Sequence, residues 1–269
     1  MKTNTKSMII VTLTASVMLL FFAASLDAKK VLYWEDAIEE QSPQTPALVR
    51  NGEQIFQQAC FYCHGENGDG NGPGGKYLFT KPRDLTEGRF NIRTTPSGSL
   101  PTDTDLFRTI TVGFPNHRMP PFQYLSPTER WALVYYIKTL SPRFSERTPK
   151  EPLEIGEPFP EAAGLIAKGK EVYQDFQCVA CHGETGRGDG PSAADLKDEK
   201  GHPLFMPDFS MGERAFKRGG RARDILMTLY TGMIGSAMPS FQAALEMTLT
   251  QEQIWALAYY IESLAQTDK

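Results

Sequence analysis

Two stretches of the chain carry apolar residues at helical spacing, one near the middle and one near the end. In residues 131–140 and 255–264, apolar side chains recur at i, i+3 and i+4, which places them on one face of a helix. Ser126 and Thr250 each precede Glu or Gln by three residues, a capping-box pattern that marks a helix start. No stretch shows the sustained alternation of a β-strand, so the pattern predicts an all-α fold.

These two stretches close two copies of one longer unit. Each copy starts with a glycine before apolar residues, reaches a C-x-x-C-H motif and continues into a glycine-rich loop. A Met-Pro pair and then a phenylalanine follow at matching distances before the closing tryptophan. The matching positions are Gly52 and Gly169, Cys60 and Cys178, Met119 and Met238, Phe122 and Phe241, and Trp131 and Trp255. Such a repeat predicts two domains of similar fold.

Residues 142–164 separate the two copies and differ from both in composition. The segment contains five prolines and several charged residues, with almost no apolar periodicity. Because proline restricts the backbone, we interpret it as a semi-rigid linker. The sequence therefore predicts two domains, residues 46–141 and 165–266, joined by a Pro-rich linker.

The N-terminal residues 1–28 have the features of a secretory signal. Lys2 and Lys6 precede an apolar run over residues 8–24, and small residues follow. A run of about 17 residues is close to the lower limit for crossing a bilayer, so a retained membrane anchor stays open beside a cleaved signal. Without these residues the formal net charge of −4 becomes −5 (26 minus 31), and this mild acidity argues against a nucleic-acid partner.

The cysteines carry the strongest chemical signal. All four lie in the two C-x-x-C-H motifs, Cys60 and Cys63 before His64, and Cys178 and Cys181 before His182. This motif attaches c-type haem: the two thiols share one side of a helical turn and bond to the vinyl groups, and the histidine ligates the iron. A zinc site would lack a further ligand at zinc-finger spacing, and a thioredoxin-like pair would need a βαβ context. The motifs predict two covalently bound haem c groups.

A methionine is the expected sixth ligand of each iron, and it raises the reduction potential. Of ten methionines, Met119 and Met238 match in the repeat and lie 55 and 56 residues after their histidines. Each precedes a proline, which disfavours helix at the residue before it and keeps the methionine on an extended loop. Both are therefore the predicted ligands.

Three other residues are considered as possible iron ligands. Met206 also precedes a proline, but its repeat equivalent is near Lys81, which cannot ligate in that way. His117, two residues before Met119, leaves a bis-histidine first haem open, although a surface position is the preferred interpretation. His202 has no counterpart in the first copy and is interpreted as a loop residue.

Two basic stretches follow the glycine-rich loops. These residues could pair with the haem propionates, or they could form a charged face exposed to solvent. The sequence does not distinguish between these two interpretations. The residues are Lys76, Lys81, Arg83, Arg89 and Arg93 in the first copy, and Arg214, Lys217, Arg218, Arg221 and Arg223 in the second.

With these motifs the chain resembles the class I cytochromes c, specifically their tandem two-domain dihaem members, over about residues 47–141 and 165–265. The resemblance implies helical domains in which the N- and C-terminal helices cross and the haem is sandwiched with one edge exposed. It also implies one-electron transfer in a bacterial periplasm. Residues 186–191 and 216–220 look like dihaem cytochromes that serve respiratory complexes, including molybdenum oxidoreductases.

The predicted function is transfer of single electrons between respiratory redox partners, without a substrate of its own. A respiratory complex, a terminal oxidase or a molybdenum oxidoreductase is the expected partner, and the chain is either a free shuttle or a haem subunit. It would contact a membrane only through an uncleaved residue 8–24 segment. Two irons closed by His and Met leave no open site for chemistry. The alternatives are a dihaem peroxidase-like enzyme with one exchangeable ligand and a haem-based sensor.

Overall fold

The computed structural model describes residues 37, 39–114, 117–160, 162 and 164–265. The predicted signal or anchor, residues 1–28, lies outside this range. None of the helices in the described part of the chain is long and apolar enough to span a bilayer. All described residues belong to one compact unit, Tyr33–Lys269.

Helices account for the regular structure of both halves, as predicted. In the first half they are α1 (Pro46–Ala59), α2 (Phe61–His64), α3 (Asp103–Val112), α4 (Pro127–Thr139) and α5 (Arg143–Glu146), with a 3-10 turn at Gly75–Tyr77. In the second half they are α6 (Leu165–Asp175), α7 (Val179–His182), α8 (Ala222–Thr231), α9 (Gln242–Thr248) and α10 (Gln251–Leu264), with 3-10 segments at Ala193–Asp195 and Phe209–Ala215. Over the described ranges, β-structure is limited to two isolated bridges.

The closing helices α4 and α10 start where their capping boxes predict. The amide of Ser126 donates to the Glu129 carboxylate over 2.8 Å, and the amide of Thr250 donates to the side-chain oxygen of Gln253 over 2.9 Å. In both cases the hydroxyl accepts from the amide of the third helical residue. A local rule that needs only four residues thus fixes both starts.

Helix α4 is buried on all sides over two turns, whereas its sequence pattern predicts a single apolar stripe. All eight residues 130–137 are buried, because α1 and α3 both pack on this helix. Arg130 is accommodated by its surroundings: its guanidinium lies 4.8 Å from the centre of the Phe107 ring and donates to the Thr111 hydroxyl over 2.6 Å. The charged residue is buried with partners rather than exposed.

The first and last helices of each half cross at a glycine. A Cβ atom on Gly52 would lie 2.0 Å from the carbonyl oxygen of Ala132, and one on Gly169 would lie 2.0 Å from that of Ala256. The backbones of α1 and α4, and of α6 and α10, therefore approach as closely as only glycine permits. This is the crossing that the resemblance implies.

The predicted linker packs against both halves. The amide of Leu153 donates to the Thr94 carbonyl over 2.8 Å in the first half. Ile155 is buried in the hydrophobic core of the second half. The Phe159 carbonyl accepts from the hydroxyl of Tyr259 over 2.8 Å. The segment is therefore held in place by tertiary contacts as well as by its prolines.

The two halves also contact each other directly. The ammonium group of Lys200 lies 3.0 Å from the Asp84 carboxylate and 2.8 Å from the Glu87 carboxylate. Arg93, which is completely buried, donates to the Thr231 carbonyl over 2.6 Å. A buried charge with a partner in the other half fixes how the two halves meet.

Candidate haem sites

Each C-x-x-C-H motif forms a single helical turn directly after the first helix of its half. Cys60 ends α1 and begins α2, and the His64 amide donates to the Cys60 carbonyl over 2.9 Å. In the second half the His182 amide donates to the Cys178 carbonyl over 2.9 Å. Residues three apart on such a turn share one side, so each pair of thiols suits two bonds to one flat group.

The thiols of the motifs are partly buried and unpaired with one another. Burial, with a smaller contribution from Cys63, raises the pKa of Cys60 to about 12. Burial also raises the pKa of Cys178 to about 11. Redox-active thiols instead have a lowered pKa, so this environment argues against a thioredoxin-like pair.

An apolar cavity in the first half brings its four predicted haem-binding residues together. Cys60, Cys63, His64 and Met119 all line it. Its walls are buried apolar side chains, among them Phe56, Leu85, Phe90, Leu106, Ile110 and Leu133. Apolar walls, two adjacent thiols and two iron-ligating side chains are what a covalently bound porphyrin requires.

His64 is oriented by a backbone hydrogen bond. Its Nδ1 atom lies 3.0 Å from the carbonyl oxygen of Arg83. A carbonyl can only accept, so Nδ1 carries the proton and the lone pair of Nε2 is available to a metal. Burial lowers the pKa of His64, which keeps the ring neutral at neutral pH.

The two Met-Pro loops share most of their backbone hydrogen bonds among the described residues. The Phe114 amide donates to the Met119 carbonyl over 2.8 Å, and the Met233 amide donates to the Met238 carbonyl over 3.0 Å. Each loop starts at a glycine with positive φ, and the loop backbone folds back against it. Met119 and Met238 each pack against the hydrophobic core of their half. The repeat seen in the sequence is thus a structural repeat.

Comparisons with known proteins agree with this architecture. A family model described as cytochrome C oxidase, cbb3-type, subunit III matches residues 47–137, and one described as cytochrome c matches residues 166–265. A chain of the Kuenenia stuttgartiensis reducing HAO-like protein complex is 39% identical with a TM-score of 0.76; the match covers 85% of this chain and 100% of that chain. This chain belongs to the tandem dihaem cytochromes c. The comparison with curated proteins gave no match.

Membership confirms the predicted cofactor. The dihaem cytochrome c carries two covalently bound haem c groups, one for each cytochrome c domain and its C-x-x-C-H motif. Haem iron supplies one-electron chemistry by changing between its ferric and ferrous states. The protein's own contribution in the first half is an apolar cavity and a histidine oriented by a backbone carbonyl.

The second domain of this cytochrome orients its histidine differently. Nδ1 of His182 is buried and has no hydrogen-bond partner among the described residues. The ring stacks on Phe209 with 4.9 Å between ring centres, and burial lowers the pKa of His182 to about 4. The equivalent of Arg83 in this domain is Pro207, because Leu85 and Phe209 make the same hydrogen bond to their glycine loops.

Met238 has a more open setting than Met119. It lines a groove between the halves together with Gly88, Arg89 and Met233, and His182 is not among the residues of that groove. Cys178 and Met238 do contact the same hydrophobic core. The structure therefore brings the four first-domain residues into one cavity; in the second domain Cys178 and Met238 contact one core, and His182 stacks on Phe209 of that core.

The three other residues weighed in the sequence have distinct places. His117 lines the first cavity, so the interpretation as a surface side chain was wrong; burial and then the charge of Lys217 lower its pKa to about 4. His202 lies in a loop, where its Nδ1 is 3.0 Å from the Asp198 carboxylate. Met206 has Pro82 as its repeat equivalent, one residue beyond Lys81, and Pro82 cannot ligate either.

The basic stretches hold residues whose roles the sequence does not reveal. Arg83 and Lys217 line the first cavity, although Lys217 belongs to the second half. Arg93 and Arg218 are buried between the halves. The solvated-face interpretation does not describe Arg93 and Arg218, which are buried, and the positions of Arg93, Lys217 and Arg218 depend on how the halves meet.

Proposed function

We propose that this dihaem cytochrome transfers single electrons with both irons closed by histidine and methionine. Cys60 and Cys63 attach the first haem, and His64 and Met119 ligate its iron. In the second domain the attachment residues are Cys178 and Cys181, and the ligands are His182 and Met238. The observation that carries the proposal is the first cavity, where all four residues meet between apolar walls.

We further propose the domain limits and location that the sequence suggests. Residues 46–141 and 165–266 each form one haem domain, and residues 1–28 direct export to the periplasm, with residues 8–24 as an anchor if they are retained. Both family matches fall inside these limits. The tight helix crossing within each half also supports them.

The partner we propose is a larger respiratory oxidoreductase, with this chain as its haem subunit rather than an enzyme in its own right. The supporting observation is the structural relative, which is a chain of a reducing HAO-like protein complex. The first family model likewise bears the name of a subunit. Both similarities favour a subunit of a complex over a free shuttle.

Carbon monoxide binding tests the proposed ligands. The reduced wild-type protein should bind no carbon monoxide without denaturation, because both irons have two strong ligands. Met119→Ala and Met238→Ala should each allow binding at one haem, seen as a Soret shift of half amplitude in the reduced spectrum. The matched control is Met247→Ala, which changes an exposed methionine and should behave as wild type.

Spin state and peroxide turnover test the enzyme alternative. Because Met238 borders an open groove, an exchangeable ligand would be at the second haem. A high-spin signal in the half-reduced wild type, together with rapid peroxide turnover, would favour the peroxidase-like function. A spectrum that does not change in Met119→Ala or Met238→Ala would show that the ligand at that haem is another residue.

A further inference from the structure

A cation from the second domain lies in the haem cavity of the first. Lys217 follows the 3-10 segment Phe209–Ala215 and precedes α8, yet it lines the cavity together with His64 and Met119. The lining also includes Arg83 from the first domain. Two cationic side chains, one from each domain, therefore converge on one apolar space.

Lys217 has no anionic partner in the described part of the chain, whereas Arg83 has carboxylates near it but no ion pair with them among those residues. Lys217 makes no hydrogen bond or ion pair with any residue in the described part of the chain, and its strongest charged neighbour is Arg83, which is also positive. Among the described residues, Arg83 donates a hydrogen bond only to the side-chain oxygen of Asn91. Burial, and then Arg83, lower the pKa of Lys217 to about 8. A desolvated ammonium beside a guanidinium is unfavourable unless an anion joins them.

The carboxylates nearest to Arg83 are already occupied. Glu199 lies 2.6 Å from Arg89, and Glu87 lies 2.8 Å from Lys200. Their charges raise the pKa of Arg83, but burial outweighs them and the net pKa is lowered. A haem in this cavity would bring anionic propionates to Lys217, which has no carboxylate acting on it, and to Arg83, whose carboxylate neighbours are shared with other cations.

The domain interface holds Lys217 where it is. Its neighbour Arg218 is buried and donates to the backbone carbonyl of Arg93 in the first domain. Arg93 in turn donates to the Thr231 carbonyl of the second domain over 2.6 Å. Two buried guanidinium groups, each bonded to a carbonyl of the other domain, fix the backbone next to Lys217 against the first domain.

We propose that Lys217 and Arg83 bind the propionates of the first haem, so that the second domain completes the haem site of the first. Haem carries two propionate groups, which would give Lys217 an anionic partner and Arg83 one that it need not share with other cations. The inference rests on the proposed placement of the first haem in this cavity, and it does not depend on Met119 as the ligand. Its consequence is that the second domain sets the potential of the first haem, because a nearby positive charge stabilises the ferrous state.

The test uses the full-length dihaem protein and three substitutions. Lys217→Gln removes the charge, Lys217→Arg keeps it, and Lys170→Gln removes the same charge from an exposed position on α6. Both midpoint potentials are measured by spectroelectrochemical titration, and redox-difference infrared spectra report the propionate carboxylates. Lys217→Gln should lower one midpoint potential and shift a carboxylate band, whereas Lys217→Arg and Lys170→Gln should leave both close to wild type.

A fourth substitution separates a direct charge effect from a loosened interface. Lys200→Gln breaks ion pairs between the domains, but Lys200 does not line the cavity. Unchanged potentials and carboxylate bands in Lys217→Gln would overturn the proposal, as would equal shifts in Lys217→Gln and Lys200→Gln. The infrared signal reports propionates and not axial ligands. If Met119 were not the ligand, the carbon monoxide experiment would reveal it, and the infrared result for Lys217→Gln could still be interpreted.

Discussion

In the first domain the His64 imidazole is held by the Arg83 carbonyl, whereas its counterpart His182 has no hydrogen-bond partner among the described residues. Met119 lies in a cavity with its histidine, and Met238 borders a groove between the domains. Yet the motif turns make the same backbone hydrogen bonds, and the Met-Pro loops share most of theirs; the Met119 amide donates to the Phe114 carbonyl, whereas the Met238 amide donates to the Ser236 hydroxyl. The repeat therefore determines most of the backbone, whereas residues that differ at equivalent positions, such as Leu85 and Phe209, change the surroundings of each histidine.

The largest expected effect comes from the helix crossings, where the two domains are alike. In Gly52→Ala and Gly169→Ala the new Cβ would lie 2.0 Å from a carbonyl oxygen. Alanine gains about 1 kcal/mol in helix propensity, but forcing packed helices apart costs about 1–3 kcal/mol or more. We expect a net loss of stability in denaturant unfolding, with Gly52→Ala disturbing the first haem and Gly169→Ala the second.

The control for the crossings is Gly156→Ala in the linker. Its Cβ would meet only the Gln251 side-chain oxygen at 3.5 Å, which is an ordinary contact. Its unfolding curve should match the wild type. If Gly52→Ala and Gly169→Ala were as stable as this control, that result would contradict the close approach of the two helix backbones.

A smaller effect should separate the two domains at one hydroxyl group. Four residues after the crossing glycine the first domain has Phe56 and the second has Tyr173, whose buried hydroxyl donates to the Gly183 carbonyl over 2.9 Å. Tyr173→Phe should lower the free energy of unfolding by about 1 kcal/mol, because the carbonyl loses a donor. Phe56→Tyr offers the equivalent Gly65 carbonyl a donor and should change stability less. Equal effects of the two substitutions in chemical unfolding would contradict the difference.

The smallest effect concerns Asp84 and its equivalent Asp208. Both accept from the hydroxyl two residues later, but only Asp84 also binds Lys200 from the other domain. Burial alone would raise the pKa of Asp84, yet the hydrogen bonds from Thr86 and Lys200 outweigh it and lower the pKa. The stabilisation of the folded protein by Asp84 is fully present at a pH above the ordinary carboxyl pKa. It is lost as the pH falls through the lowered pKa that Asp84 has in the folded protein.

Lys200→Gln tests this contribution. At neutral pH the variant should be less stable by up to about 1 kcal/mol, since the ion pairs are partly exposed. The difference from wild type should shrink as the pH falls below about 4, where carboxylates become protonated. The control is Lys170→Gln, because Lys170 is exposed on α6. Its free energy of unfolding should show no difference from wild type that shrinks as the pH falls. A Lys200→Gln penalty that persists in acid would mean that the contact is not ionic.

What the sequence predicts well is what depends on neighbouring residues or on the repeat. The starts of α4 and α10 follow from four-residue capping boxes, and the position of the Met-Pro loops follows from matching the two copies. The place of Lys217 could not be predicted, because it depends on a contact between residues more than a hundred positions apart. His117 was misplaced for a related reason: the cavity wall that buries it includes that same lysine.

Arg93 has a consequence for exchange of domains between cytochromes. It is completely buried, and one of its N–H groups is bonded to the carbonyl of Thr231 in the other domain. A chimaera that joined the first domain to the second domain of another tandem cytochrome would have to present a carbonyl at the same place. Otherwise one buried N–H group of the guanidinium would lose its acceptor, at a cost of about 1–3 kcal/mol, although the carbonyls of Phe90 and Pro96 would still accept from the others. Although their sequences read as repeats, the two domains are not interchangeable modules.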